Sequence, residues 1–296
     1  MKNLSPNTLG ALFMVGSMAL FTLNDTAMKT VGANLPMFQA LFMRGTLAAV
    51  LMFLAVWRLG QLRTALTPRD KWLVIARSAM DALAAFFFFT ALFNMKLASL
   101  SAILQTLPLT VTLAGAVFLG EKVGWRRMGA IIIGFIGVLL IIKPGAESFN
   151  IYSVYGLLTV VVVTARDILS RKISAAVPTF YVALANAIAI MIFGGFASTF
   201  TPWSPVGIYE QSLLIMAAFL IVGAYFCAVA TMRVGEIAVV TPFRYTSLLF
   251  ALILGLIVFG EWPDNLTIIG SLIVVATGLF TLWREGRVKK QGQSNA

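Results

Sequence analysis

NDTAMKTVGANLPMF, residues 24–38, returns as RDILSRKISAAVPTF, residues 166–180. At a constant offset of 142, Asp25 meets Asp167, Lys29 meets Arg171, Pro36 meets Pro178 and Phe38 meets Phe180. The copy extends beyond this stretch. Leu119-Gly120-Glu121 matches Phe259-Gly260-Glu261 at offset 140, as do Thr106 with Thr246 and Ala98 with Ala238. Gly129 and Gly137 match Gly270 and Gly278 at offset 141. The sequence therefore reads as two similar halves, residues 8–145 and 152–286, followed by a tail over 287–296.

Composition sets the solvent for both halves. Sixty per cent of residues are hydrophobic and 11% are charged, against roughly 25% charged in soluble domains; mean hydropathy is +0.94. A chain this apolar has too little polar surface to face water. A spanning helix needs about 20 mostly apolar residues. Ten such segments are expected: 9–28, 36–57, 72–92, 97–119, 126–142, 152–169, 179–200, 211–231, 237–259 and 266–283. The six tryptophans, Trp57, Trp72, Trp125, Trp203, Trp262 and Trp283, fall at or near span ends, where an amphipathic ring sits at headgroup level. The fold class expected is an all-α polytopic membrane protein of ten helices, arranged as two inverted five-helix repeats.

Charge gives the orientation. Odd-to-even connections hold three basic residues, Lys29, Lys96 and Lys143. Fifteen lie on the other side, among them Arg58, Arg126, Arg127, Arg171, Lys172, Arg284 and Lys290; Arg44, Arg77, Arg166 and Arg244 fall within spans. Basic residues collect in cytoplasmic loops, so both termini are expected in the cytoplasm. The net charge of +11 is thereby read as topology, with no nucleic-acid partner. Five spans per half is an odd number, so the halves insert with opposite orientation. Inverted repeats of this kind are a common basis of alternating access.

Ten spans, a five-plus-five duplication, Asn24-Asp25 late in span 1, Arg44 in span 2 and Gly-Glu closing spans 4 and 9 resemble the drug/metabolite transporter superfamily, EamA type. The likeness covers about residues 8–286. It implies a bacterial inner-membrane carrier of small organic metabolites with a central cavity. Asn24-Asp25, Lys29, Phe38, Phe42 and Arg44 are similar to branches that take up riboflavin or S-adenosylmethionine. The expected function is accordingly uptake of riboflavin by a secondary carrier. S-adenosylmethionine uptake and export of an amino acid or drug metabolite are the alternatives.

The residues name candidates for that work. An ionised Arg inside a span costs ~2.5–3.5 kcal/mol, so Arg44 should face a cavity or a partner. Arg77 and Asp81 stand one helical turn apart and share a face. Phe86 opens a run of four phenylalanines, one or two of which could stack on a planar ring. Gln105, with Pro108 following, and Arg244-Tyr245 after Pro242 sit where proline loosens spans 4 and 9. Exposed backbone there is tolerable only beside protein or a cavity. These seven are the cavity candidates. Asn24, Asp25 and Asp167 are candidate gates or helix-end carboxylates, Asp25 and Asp167 then pairing with Lys29 and Arg171 four residues on. Glu121 and Glu261 suit inter-helix hydrogen bonds or the contacts of a homodimer. Histidine is absent and Cys227 is the sole cysteine, which rules out a His/Cys zinc site and an intrachain disulfide. No cofactor motif is visible, and nothing pairs a nucleophile with a base. A membrane-embedded enzyme is therefore the disfavoured reading, and the partners expected are a small-molecule substrate and the lipid bilayer.

Overall fold

The computed structural model describes residues 5–120, 124–145 and 150–294. Twelve α-helices occur among them: α1 (Pro6–Val31), α2 (Met37–Arg58), α3 (Pro68–Asn94), α4 (Leu97–Leu104), α5 (Leu107–Leu119), α6 (Trp125–Ile142), α7 (Tyr152–Lys172), α8 (Thr179–Ser198), α9 (Ile208–Val234), α10 (Ile237–Val240), α11 (Thr246–Phe259) and α12 (Asn265–Ser294). They supply ten segments long and apolar enough to cross a membrane. The expected spans 4 and 9 are broken, the one between α4 and α5, the other by a 3₁₀ turn over Thr241–Tyr245.

Local chemistry sets the ends. Ser5 caps α1 by accepting from the Thr8 N–H at 3.2 Å, with Pro6 in the first turn. Thr67 caps α3 in the same way through Asp70 N at 3.1 Å, and its own hydroxyl donates to the Asp70 carboxylate at 2.8 Å. An N-terminal proline gives up a hydrogen bond the helix could not have made. α5 and α11 end on Gly120 and Gly260, with φ of 70° and 63°. That left-handed conformation favours glycine, and it recurs at equivalent places in the two halves. Span 4 breaks because Pro108 cannot donate to the Leu104 carbonyl four residues back; Pro242 does the same in span 9.

The helices pair across the halves: α1 with α9, α3 with α7, α2 with α8 and α6 with α12. Exchanging the two halves maps this set of pairs onto itself. Glycines allow the closest approaches. A Cβ on Gly194 of α8 would sit 2.8 Å from the Phe42 N of α2, and one on Gly45 would sit 3.1 Å from the Met191 Cα. Between α6 and α12, a Cβ on Gly137 would meet the Gly270 carbonyl at 2.9 Å. Small residues at such seams let packing replace the hydrophobic drive that lipid cannot supply. Met28, Val31, Leu41, Leu92, Leu97 and Ile103 form the main buried cluster, toward the odd-to-even end. Phe118, Trp125, Phe200 and Ile257 are largely exposed on the outer faces, as a lipid-facing surface requires.

Candidate functional site

Between the paired helices lies a cavity of about 470 Å³, walled by α1, α2, α3, α4, α7, α8, α9, the first residues of α5 and α11, and the Thr241–Tyr245 turn. Both halves contribute to it. It reaches Met232, in the last turn of α9, and Met14, early in α1. It is therefore displaced toward the membrane side that holds the N-terminus.

The polar wall has two parts. In the first, Arg44 Nη2 donates to Asn24 Oδ1 at 3.0 Å, and Asn24 Nδ2 donates to Asp25 Oδ1 at 2.9 Å. Arg44 Nε is buried and has no partner. In the second, Asp81 joins the halves. Its two oxygens accept from Arg77 Nη1 on α3 and Arg166 Nη1 on α7, each at 2.9 Å. Arg77 also donates to Ser170 Oγ at 2.7 Å and to Asn186 Oδ1 at 2.7 Å, and Arg166 grips Asp167 through Nε and Nη2 at 2.9 and 2.7 Å. Gln105 donates to the Ser247 hydroxyl, tying span 4 to span 9 at their breaks. Phe21, Phe88, Phe89 and Tyr225 add aromatic wall.

The odd-to-even end of the cavity is shut. Lys29 on α1 pairs with Glu261 Oε1 at 2.6 Å, donates to the Met95 carbonyl at 2.7 Å and lies 4.8 Å from the Phe259 ring centre. Glu261 Oε2 accepts the Leu97 N–H at 2.9 Å. Gln39 both donates to and accepts from the Ser204 backbone, at 2.8 and 2.9 Å. Lys143 pairs with Asp264 at 2.6 Å.

Of the residues singled out in the sequence, Arg44, Arg77, Asp81, Gln105, Arg244, Asn24 and Asp25 line this cavity. Phe86 does not. It packs in a ring cluster with Phe38, Phe87, Tyr155 and Phe193, and the cavity-lining rings of that run are Phe88 and Phe89. Tyr245 is buried beside Gly278, its hydroxyl without a partner, and borders an apolar groove of about 340 Å³ between α11 and α12. The Asp25–Lys29 pair is absent: Lys29 reaches Glu261 just beyond α11, and among the described residues Asp25 accepts from the Asn24 amide alone. Asp167 takes its neighbour Arg166, and Arg171 sits in the last turn of α7. Glu261 bonds between helices; Glu121 lies outside the described residues. Sequence reasoning missed Tyr225, Ser247, Arg166 and Asn186 as cavity residues. The last two were visible in the repeat. Position 24 is Asn where 166 is Arg, and position 44 is Arg where 186 is Asn, so the same two residue types exchange places between halves.

A charged cavity walled by both halves of a ten-span helical protein defines a membrane transporter. The chain belongs to the EamA-like transporter family, whose profile matches residues 8–143 and 150–283. It is 27% identical over 277 residues to the pseudopaline exporter of Pseudomonas aeruginosa strain UCBPP-PA14, covering 90% of this chain and 93% of that one. It is 25% identical over 293 residues to the S-adenosylmethionine uptake transporter of Rickettsia bellii, covering 94% of each. Against the riboflavin transporter of Rhizobium johnstonii the figures are 23% over 286 residues, covering 96% and 94%. A solved crystal structure superimposes with a TM-score of 0.63 at 19% identity, over 91% of this chain and 94% of the other, which is a likeness of fold.

Proposed function

We propose that this protein is an alternating-access uptake carrier of the bacterial inner membrane, with both termini cytoplasmic, and that its cargo is a metabolite of the S-adenosylmethionine class. The observation that carries the reading is the cavity itself: one chamber, walled by both halves, with charged groups on its wall. Its volume falls within the ~300–1,000 Å³ usual for small-molecule sites. The fifteen-to-three basic asymmetry supports the orientation. On that orientation the Lys29–Glu261 end is periplasmic, and the cavity leans toward the cytoplasm. Rocking one half against the other would move the opening across the bilayer. No covalent chemistry is called for; the wall binds and releases.

Cargo choice rests on the wall. S-adenosylmethionine offers a carboxylate to guanidinium groups, and its sulfonium and adenine suit the faces of Phe88, Phe89 and Tyr225 through cation–π and stacking contact. Riboflavin is the second reading, supported by those same rings, which suit a planar ring system. It ranks lower because it lacks a carboxylate. The test is counterflow in proteoliposomes: labelled S-adenosylmethionine should accumulate against unlabelled internal S-adenosylmethionine and resist competition by riboflavin. Accumulation of riboflavin alone would promote the second reading, and accumulation of neither would remove both.

A further inference from the structure

The cavity has one positive charge more than it neutralises, and that charge has an address. Four arginines, Arg44, Arg77, Arg166 and Arg244, line it. Three aspartates stand against them. Asp81 is shared by Arg77 and Arg166, Asp167 is held by Arg166, and Asp25 is linked to Arg44 through Asn24. Arg244 remains. Among the described residues its guanidinium donates no hydrogen bond, and no carboxylate lies within ion-pair distance. It lies in the turn that opens span 9, Thr241–Phe259, and the surface it exposes borders the cavity.

A guanidinium held inside a span without a carboxylate is costly, and a packing role does not require one. The equivalent position of the first half, at offset 140, is Leu104, which lines the same cavity. The charge is thus specific to one half and is not a demand of the shared fold. The Thr241–Tyr245 turn holds it there: Pro242 breaks the helix, so Arg244 sits on a 3₁₀ turn beside Ser247. A planar fork of N–H donors facing an open chamber matches a carboxylate.

We propose that Arg244 is the cargo's carboxylate receptor and sets the specificity of the carrier for carboxylate-bearing metabolites. This deepens the proposed function and rests on it for the choice of probe. Two probes differ only in the group at issue: S-adenosylmethionine and its decarboxylated analogue. The wild-type carrier should favour S-adenosylmethionine by about tenfold or more in apparent affinity, the order expected when a polar site is left unpaired by the wrong ligand. Arg244→Gln should remove that preference by weakening S-adenosylmethionine binding and leave the decarboxylated analogue within about twofold. Arg244→Lys should restore part of it, since charge returns without the fork. Equal handling of the two compounds by the wild type overturns the proposal.

A second measurement does not assume the cargo. Small monocarboxylates and their primary amides are compared by thermal shift on purified wild-type and Arg244→Gln protein. Carboxylates should stabilise the wild type selectively, and the selectivity should vanish in the variant. If S-adenosylmethionine is not carried but this selectivity holds, the cargo reading falls and the receptor stands. If carboxylates and amides act alike on the wild type, the receptor falls whatever is carried.

Discussion

Asp81 is the residue on which the two halves meet most directly, because one carboxylate accepts from α3 and α7 at once. Asp81→Asn should leave Arg77 and Arg166 short of charge in a buried place. Removing one partner of a buried pair costs about 3–5 kcal/mol, which a fall in the detergent unfolding midpoint would report. The double exchange Arg77→Asp with Asp81→Arg keeps the one-turn pair but sets a cation against Arg166. It should not rescue stability; full rescue would mean that the α7 contact is idle. Charge in a span was the legible part of this site. A guanidinium or carboxylate there must face protein or water, and Arg44, Arg77, Asp81 and Arg244 line the cavity accordingly. Aromatics were less legible. Successive helical residues turn by about 100°, so four consecutive phenylalanines point all round, and only packing tells that Phe88 and Phe89 face inward while Phe86 does not. Lys29 shows the other limit. Local spacing favours Asp25, yet a long side chain at a helix end can choose a partner 232 residues away, and no local rule can see it.

At the helix seams, glycine marks which contacts are tight. Gly194→Ala should push α8 off α2, because the added carbon meets backbone at 2.8 Å; overpacking of this kind costs ~1–3 kcal/mol. Gly129→Ala is the control, since nothing lies within 4 Å of its added carbon and alanine favours helix by ~1 kcal/mol over glycine. Unfolding midpoints should therefore move in opposite directions. The clamp between the end of α6 and the start of α12 has a pH signature of its own. Burial alone would raise the Asp264 carboxyl. The hydrogen bond from Lys143, that from Thr267, the Lys143 charge and the Leu266 N–H outweigh it and bring the carboxyl down to about 2. A depressed carboxyl contributes stability above its unfolded value of about 3.9 that is lost as pH falls through the folded value. The midpoint difference between wild type and Asp264→Asn should thus be level from about pH 5 upward and close between about pH 4 and 2. At this scale hydropathy located all ten spans, because each is long and uniformly apolar. The breaks in spans 4 and 9 were visible only as Pro108 and Pro242. Where each helix resumes depends on tertiary contacts such as the one between Gln105 and Ser247.

At the scale of the whole molecule the question is which end of the cavity is held shut, and by what. Lys29 gathers α1, the α3–α4 turn and the end of α11 into one knot, with Glu261 and the Met95 carbonyl as its acceptors. Elsewhere the bundle is held by the packing of α1 on α9 and α3 on α7. Lys29 lies in α1 and Glu261 just beyond α11, so the two side chains can part without breaking a helix. If the halves rock, this contact must open when the cavity faces the odd-to-even side, so weakening it should shift the population toward that state. Each 1.4 kcal/mol of lost differential contact changes the ratio of the two states about tenfold. The shift can be read with a single reporter. Cys227→Ala removes the native thiol, and Ala187→Cys places one on the cavity wall. A membrane-impermeant maleimide applied from the side opposite the termini should label this cysteine slowly in an otherwise unaltered carrier. Adding Glu261→Gln should raise that rate several-fold and lower labelling from the terminal side in proportion, because one equilibrium governs both. A rate that rises from both sides would indicate a leaky or loosened bundle. A rate unchanged from either side would mean that the Lys29–Glu261 contact does not set the orientation of the cavity.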